Sequence, residues 1–313
     1  MNEPVATEPR PPRPDRAGSF LVLLATHNGA RWLEEQLLSI YSQDGVQVSV
    51  VASDDSSGDA TPALLRAWTT QQPLELLESL TDRLGSANRN FLRLIRDAPL
   101  GEATHVALAD QDDIWAKDKL LRASDRLSRS NADVYSSDVT AFWPDGHHRY
   151  IRKSHPIRPY DYLFESAGPG CTFVFRRETF ERLKAWVMQR FHALQDAKVH
   201  DWLIYAYARK QGWRWIIDDL PTVLYRQHDS NELGANAGLR AALARLRNVL
   251  AGTYRRDVLE IANAVDDHSW VSEALARFSL SDRFRLAAAA RELRRRGRDQ
   301  AVLAVLLLVM RRM

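Results

Sequence analysis

The sequence predicts an α/β protein: a mostly parallel central sheet flanked by helices, followed by a helical C-terminal extension. Three observations predict it. Between residues 19 and 109, apolar runs of strand length alternate with segments of helical periodicity, the order from which parallel sheets with helices on both faces are built. Three of those runs stop at polar clusters, Thr26-His27-Asn28, Ser53-Asp54-Asp55 and Asp110-Gln111-Asp112-Asp113. From about residue 238 the pattern is helical only, and arginine is its sole long cation.

SFLVLLAT (19–26) is a continuous apolar run ended by polar residues, as in a strand buried on both faces. A helix follows, with Leu33, Leu37, Ile40 and Tyr41 at helical spacing and Asp44-Gly45 closing it. VQVSVVAS is the second strand, DDSSGDAT a polar turn, and PALLRAWTTQQ a second helix with Pro62 suited to its first turn. The short strand LELLES leads to a helix in RLGSANRNFLRLIRDA, where Phe91, Leu94 and Ile95 share a face, and THVALAD is the fourth strand. Beyond residue 130, DVYSSDVTAFWPDGHHRYI reads as two strands around a Pro-Asp-Gly turn and CTFVFRR as another strand. VHDWLIYAYARKQG reads as a helix stopped by Gly212, and WRWIIDDLPTVLYRQH as a returning strand. No internal repeat is present.

At 313 residues, 45% hydrophobic and 27% charged, the chain suffices for one large domain with an appendage and is neither fibrous nor disordered in composition. Its net charge of +3 conceals an asymmetry, because residues 240–313 hold 15 arginines against 8 acidic residues, a local +7 that leaves −4 for residues 1–239. Residues 1–18, with five prolines and no apolar core segment, are expected to form a disordered leader, residues 19–237 the α/β domain and residues 238–313 the arginine-rich helical region. The apolar run at 301–310 would reach about 15 Å as a helix, half of a hydrocarbon core of about 30 Å. A single cysteine, Cys171, excludes an internal disulfide and fits a reducing compartment.

In open parallel sheets ligands collect at the carboxyl ends of the strands, so the three polar clusters should meet at one edge. The spacing Asp110-x-Asp112 suits a hard divalent ion whose remaining oxygens come from a phosphate. A second reading is a loop whose aspartates favour the N-terminus of the next helix. Carboxylates at Asp54 and Asp55 could accept from a base N–H or from ribose hydroxyls, whereas Ser56, Ser57 and Asp59 read as turn and helix cap.

The stretches LLATHNGARWLEEQLLSIYSQ, VVASDDSSGDAT, RLGSANRNF and ALADQDDIW, in this order and spacing, resemble family 2 glycosyltransferases of the nucleotide-sugar-binding GT-A fold. ADQDDIW with the later AGPGCTFVF, HDWLIYAYA and YRQHDSNELGA resembles the bacterial rhamnosyltransferase-type members that build surface polysaccharides. The resemblance spans residues 19 to about 236.

That resemblance implies roles. Thr26, Asn28 and Asp54 match positions lining the nucleoside pocket, with Asn90 in the same donor-binding set; of the adjacent pair, alignment of VASDD with the family's strand end favours Asp54 over Asp55. Asp110 matches the carboxylate near the ribose, and Asp112 the one holding Mg2+ or Mn2+ on the diphosphate. His228 matches a histidine completing the metal or diphosphate site, and Asp113 reads as loop support or a helix cap. Asp201 matches the catalytic base, its alternative being a plain N-terminal cap. Trp115 is expected at the floor of the acceptor site, with core anchoring as the alternative. Gly170 is expected to let backbone approach the acceptor, with an ordinary turn as the alternative. His27 and His200 adjoin motif residues and receive no role.

The implied reaction is a single displacement with inversion, moving L-rhamnose from deoxythymidine diphosphate rhamnose to a glycan or lipid-linked acceptor in the cytoplasm or at the inner face of the cell membrane. For the basic C-terminal region two readings stand, attachment to an anionic membrane surface and packing on the catalytic domain or a partner subunit. Nucleic acid is not an expected partner, since no binding motif accompanies the arginines. The rival enzyme is a sugar nucleotidyltransferase, against which ATHNGARW lacks the look of a triphosphate loop. The rival of another class is a catalytically silent nucleotide- or glycan-binding module, against which Asp112, Asp201 and His228 stand together.

Overall fold

A computed structural model describes residues 18–78, 82–195, 199–228 and 253–310. The leader and the expected domain boundary at 237 lie outside the described residues, except that Gly18 is described. The strands are β1 (Ser19–Thr26), β2 (Gln47–Asp54), β3 (Leu74–Leu76), β4 (His105–Ala109), β5 (Ile114–Trp115), β6 (Val134–Ser137), β7 (Val139–Phe142), β8 (His148–Ile151), β9 (Val174–Arg176), β10 (Trp215–Asp218) and β11 (Val223–Arg226). The helices of the same region are α1 (Leu33–Tyr41), α2 (Thr61–Thr69), α3 (Ala87–Asp97), α4 (Lys119–Ser130), α5 (Arg177–Leu194) and α6 (His200–Lys210).

Seven strands form the main sheet in the order β10-β6-β9-β4-β1-β2-β3, and four form a second sheet in the order β5-β11-β7-β8. β1 lies parallel to both β2 and β4, pairing Thr26 with Asp54 and Leu24 with Ala109, so the three polar strand exits stand side by side. Only β9 runs against its neighbours in the main sheet, between β4 and β6. Because side chains alternate along a strand, β1 feeds two cores. Leu21 and Leu23 face α3, α5 and α6, whereas Phe20, Val22 and Leu24 face α1, α2 and α4.

Two expected strands divide. In DVYSSDVTAFWPDGHHRYI the chain leaves the main sheet at Asp138, whose buried carboxylate accepts from the N–H of Ser154 (2.8 Å) and the hydroxyl of Ser154 (2.8 Å). The expected turn at Pro144-Asp145-Gly146 then joins β7 to β8, with Gly146 at φ 82°. WRWIIDDLPTVLYRQH splits into β10 and β11 around Pro221, which has no N–H for a ladder.

The C-terminal region is helical where described: α7 (Thr253–Ala264), α8 (Trp270–Arg277), α9 (Leu280–Ala288), α10 (Ala290–Leu293) and α11 (Gly297–Val309). Ser269 caps α8, and Ser279 with Asp282 forms a reciprocal capping box on α9. Val258, Ile261, Leu275, Leu293, Leu303 and Leu307 join the core beneath α3, α5 and α6, so this region packs on the α/β domain. Among the described residues no helix is long and apolar enough to cross a membrane.

Candidate active site

The exits of β1, β2 and β4 are tied together by side chains that replace ladder bonds. Asn28 adopts the left-handed conformation (φ 49°), which asparagine tolerates better than most residues. From there its N–H donates to Ser57 Oγ (2.8 Å) and its Oδ1 accepts from Gly58 N–H (2.8 Å), closing the β1 loop onto the β2 loop. Gln111 ties the β1 loop to the β4 loop, accepting from His27 N–H (2.8 Å) and donating to His27 C=O (2.9 Å). A Cβ on Gly29 would stand 2.0 Å from Gln111 Oε1, so only glycine admits this approach.

A cavity of about 360 Å³ opens over this edge. Thr26, Asn28, Asn90, Asp110 and Asp112 line it, as do His228, Gly170 and Asp201, so most of the expected site residues come together. Asn90 reaches the strand ends from α3, donating to the carbonyls of Thr26 (3.2 Å) and Ser53 (3.0 Å) and leaving Oδ1 without a partner. His27 and His200, to which the sequence assigns no role, also line the cavity.

Two expectations are corrected. Asp55 rather than Asp54 forms the cavity wall. Asp54 accepts from Thr26 Oγ1 (2.9 Å), Ser57 Oγ (2.6 Å) and Ser57 N–H (2.9 Å), which commits it to shaping the turn. Asp55, 2% exposed, accepts from the N–H groups of Leu84 and Gly85 and lies 3.8 Å from Arg83 Nε. Trp115 is not at an acceptor floor. Its pairing with Val223 turns the indole into the core, where it is 3% exposed and lies beneath Lys119 Nζ at 3.7 Å. The aromatics that do line the cavity are Tyr225 and Trp32, the latter stacked on His228 with ring centroids 4.0 Å apart.

Asp112 and His228 meet at 2.7 Å between Oδ2 and Nε2, with side chains 13% and 12% exposed. Arg226 donates from Nε to the Asp112 carbonyl (2.7 Å) and pairs with Glu35, pinning the β11 exit to the acidic loop. Behind the loop, Asp113 is fully buried and accepts from Arg226 N–H (3.1 Å), the loop-support role expected of it. Burial, reinforced by Asp112, pushes the Asp113 carboxyl up to about 8. Burial also pushes the Cys171 thiol up and the Lys119 ammonium down to about 7. The ligand atoms of Asp110, Asp113 and Cys171 lie within 4.8 Å of one another. With the thiol held protonated by burial, that trio makes a poorer cation site than the Asp112–His228 pair, whose donors face the cavity.

Asp201 lies in the first turn of α6, where the helix dipole favours a negative charge. Burial nevertheless pushes its carboxyl up to about 6, against Lys153 and the backbone N–H groups of Trp202 and Gly170. Among the described residues Oδ1 has no hydrogen-bond partner. Gly170 lines the cavity with its N–H toward Asp201, and a Cβ there would stand 2.4 Å from His200 Nε2, so this close approach requires glycine. His200 is held by stacking on Phe91 (centroids 4.0 Å apart), and burial pushes its imidazole down to about 3, so it is neutral.

The arginines of the C-terminal helices reach the segment leading to Gly170. Arg294 Nη1 donates to the Phe164 carbonyl (2.8 Å). Arg295 accompanies it with a backbone N–H to Glu165 (2.7 Å), a guanidinium bond to the Ser166 carbonyl, and charges of Glu165 and Asp161 at 3.4 and 3.7 Å. No local pattern in the sequence signals these contacts, nor those of Gln111 or Trp32.

Comparison with known proteins gives the family and the fold. The model of glycosyl transferase family 2 matches residues 21–191. The chain is 39% identical over 288 residues to the dTDP-rhamnosyl transferase RfbG of Shigella flexneri, covering 91% of this chain and 99% of that protein. It is 30% identical over 225 residues to the succinoglycan biosynthesis protein ExoO of Rhizobium meliloti (strain 1021), covering 69% of this chain and 62% of the relative. Among solved structures, S. aureus TarS 1-349 in complex with UDP-GlcNAc superposes with a TM-score of 0.56 at 14% identity, covering 94% of this chain and 82% of that one. That likeness concerns the fold, which is GT-A.

Proposed function

The chain belongs to glycosyl transferase family 2, and from that premise we propose a rhamnosyltransferase that uses deoxythymidine diphosphate rhamnose and a divalent cation to extend a glycan or lipid-linked acceptor in surface polysaccharide synthesis. The coarser statement, a nucleotide-sugar-dependent glycosyltransferase, follows from the family and from the relative's activity along 99% of its length. The donor rests on the likeness to the dTDP-rhamnosyl transferase, and the observation that supports cation-assisted transfer is one cavity bordered by both Asp112–His228 and Asp201.

In this reading Asp55, Thr26 and Asn90 face the nucleoside and Asp110 the ribose. Asp112 Oδ2 and His228 Nε2, 2.7 Å from each other on the cavity wall, offer an oxygen and a nitrogen donor, a set that suits Mn2+ better than oxygen-seeking Mg2+, with diphosphate oxygens to complete the shell. When bound, that cation neutralises charge developing on the leaving diphosphate. Asp201 accepts the proton of the acceptor hydroxyl as it attacks the anomeric carbon, and a carboxyl raised to about 6 is a stronger base than an ordinary aspartate while still ionised at neutral pH. A single displacement inverts that carbon. The basic C-terminal region would bring the enzyme to the cytoplasmic face of a membrane bearing its acceptor.

The experiment is nucleotide release and calorimetric binding with dTDP-rhamnose, UDP-sugars and GDP-sugars, with and without Mn2+ or Mg2+, for the wild type and Asp112→Ala. Metal-dependent release of dTDP, reduced at least about 100-fold in the variant, is expected. Release of a different nucleotide overturns the donor assignment. Absence of any nucleotide binding in the presence of metal overturns the role of the acidic edge.

A further inference from the structure

From Ala301 to Val309, α11 has no polar residue, yet only one side of it is covered. Leu303 and Leu307 are buried, while Val302, Val305 and Val309 are 51%, 60% and 53% exposed. Those three recur at the spacing of a single helical face, and a helix apolar all round is ordinarily covered all round. The adjoining α9 repeats the feature: Leu280 and Phe284, one turn apart, are 66% and 59% exposed, while Leu286 is buried. The two helices pack together, and Arg283, next to Phe284, donates from Nε to the Leu307 carbonyl (3.0 Å), so the exposed strips border each other. Contiguous apolar surface of this kind marks an interaction site.

Charge selects the occupant. Exposed Arg296 and Arg298 stand at the start of α11, with Arg298 one turn before Val302 on the same face and donating from Nε to Asp299 (3.3 Å), and the sequence continues past α11 with Arg311 and Arg312. Over the described residues 253–310, ten arginines stand against eight acidic residues, a net charge of +2. An anionic headgroup layer is complementary to the same arginines while its acyl boundary accepts the valines, leucine and phenylalanine. We propose that the exposed face of α9 and α11 is a docking surface for an anionic lipid bilayer, entered by Phe284 and Val305 and rimmed by Arg296 and Arg298. Arg294 and Arg295 join these helices to the segment that leads to Gly170, so the surface has a fixed relation to the cavity. Its use in meeting a lipid-linked acceptor rests on the transferase reading; bilayer binding itself does not.

The test is flotation of the full chain with vesicles of phosphatidylcholine alone or mixed with phosphatidylglycerol. Wild type should float with the mixed vesicles, not with the neutral ones, and should dissociate as salt rises. Phe284→Ser with Val305→Ser should lower partitioning at least tenfold, as should Arg296→Glu with Arg298→Glu, with Tm, light-scattering mass and nucleotide release unchanged. Failure of the wild type to float overturns the proposal. So does retained flotation of the serine pair. A fall in Tm or a change of mass in that pair assigns the face to the chain's own residues or to a second copy instead. Loss of nucleotide release from every donor with flotation intact overturns the transferase reading alone.

Discussion

The aspartates at the sheet edge and the arginines of the C-terminal helices are both charge concentrations, yet their fates are opposite. Among the described residues, Asp201 keeps an oxygen without a partner beside the cavity, and the Asp112 carboxylate shares only His228 there. Arg294, Arg295, Arg255 and Arg283 spend donors on backbone carbonyls within the chain, at Phe164, Ser166, Leu275 and Leu307. Arg294 Nε and Arg295 Nε and Nη1 are also without hydrogen-bond partners among the described residues, but they do not line the cavity. A charge cluster therefore announces chemistry only where its spare capacity borders a cavity.

The largest expected effect breaks the acidic side of the comparison. Asp201→Asn removes the proton acceptor while keeping the shape, and kcat should fall by about 10² to 10⁴ with donor affinity unchanged. In the wild type, kcat/KM should rise with pH through about 6 and level off above it, because the base works deprotonated. Unchanged turnover in the variant would reduce Asp201 to a helix cap.

On the basic side the corresponding loss is structural. Arg295→Met removes the bond to the Ser166 carbonyl and a charge 3.7 Å from buried Asp161, but Asp161 keeps Arg209 (2.6 Å) and Glu165 keeps Arg294 (3.6 Å), so the loss should be about 1–3 kcal/mol, read by urea denaturation. Equal stability would show that these contacts are incidental.

Opposite in sign is the effect of Asp201→Asn on stability. A carboxyl raised in the folded state favours folding below its unfolded pKa and loses that contribution as pH rises through about 6. The asparagine variant should therefore be more stable than wild type at pH 8, by roughly 2–3 kcal/mol, with the advantage fading below about pH 4. A catalytic group would thus be kept at a cost to the fold, whereas Arg295 is kept for the fold.

What the sequence disclosed follows the same division. Strands β1, β2 and β4 were legible because each is a long apolar run with a sharp polar exit, and their parallel register alone brings Thr26, Asp110 and Asp112 to one edge. The choice between Asp54 and Asp55 was not legible. It depends on Thr26 and Ser57 capturing the first carboxylate, a contact between loops rather than a pattern along one. Trp115 was misplaced because it sits on a two-residue strand, too short to show which face is buried. The break at Asp138 depends on Ser154, beyond the intervening hairpin. For the C-terminal region the arginine surplus was visible, but not which of its members turn inward.

The finest test of the comparison lies at Gly170, where architecture touches chemistry. Gly170→Ala places a methyl 2.4 Å from His200 Nε2, and stacking on Phe91 keeps that imidazole from swinging away. Relief must come from the Gly170 backbone or the first turn of α6, either of which moves the N–H that helps hold the Asp201 carboxyl down. We expect kcat to fall about tenfold, since small displacements of a reacting group are costly. The pH midpoint should move above about 6 because a bond to the ionised form is weakened. Gly58→Ala serves as the control: its Cβ meets nothing within 4 Å, and it keeps the N–H that bonds Asn28. If Gly170→Ala matches Gly58→Ala in both rate and midpoint, the glycine is only a turn, and the base is oriented by α6 alone.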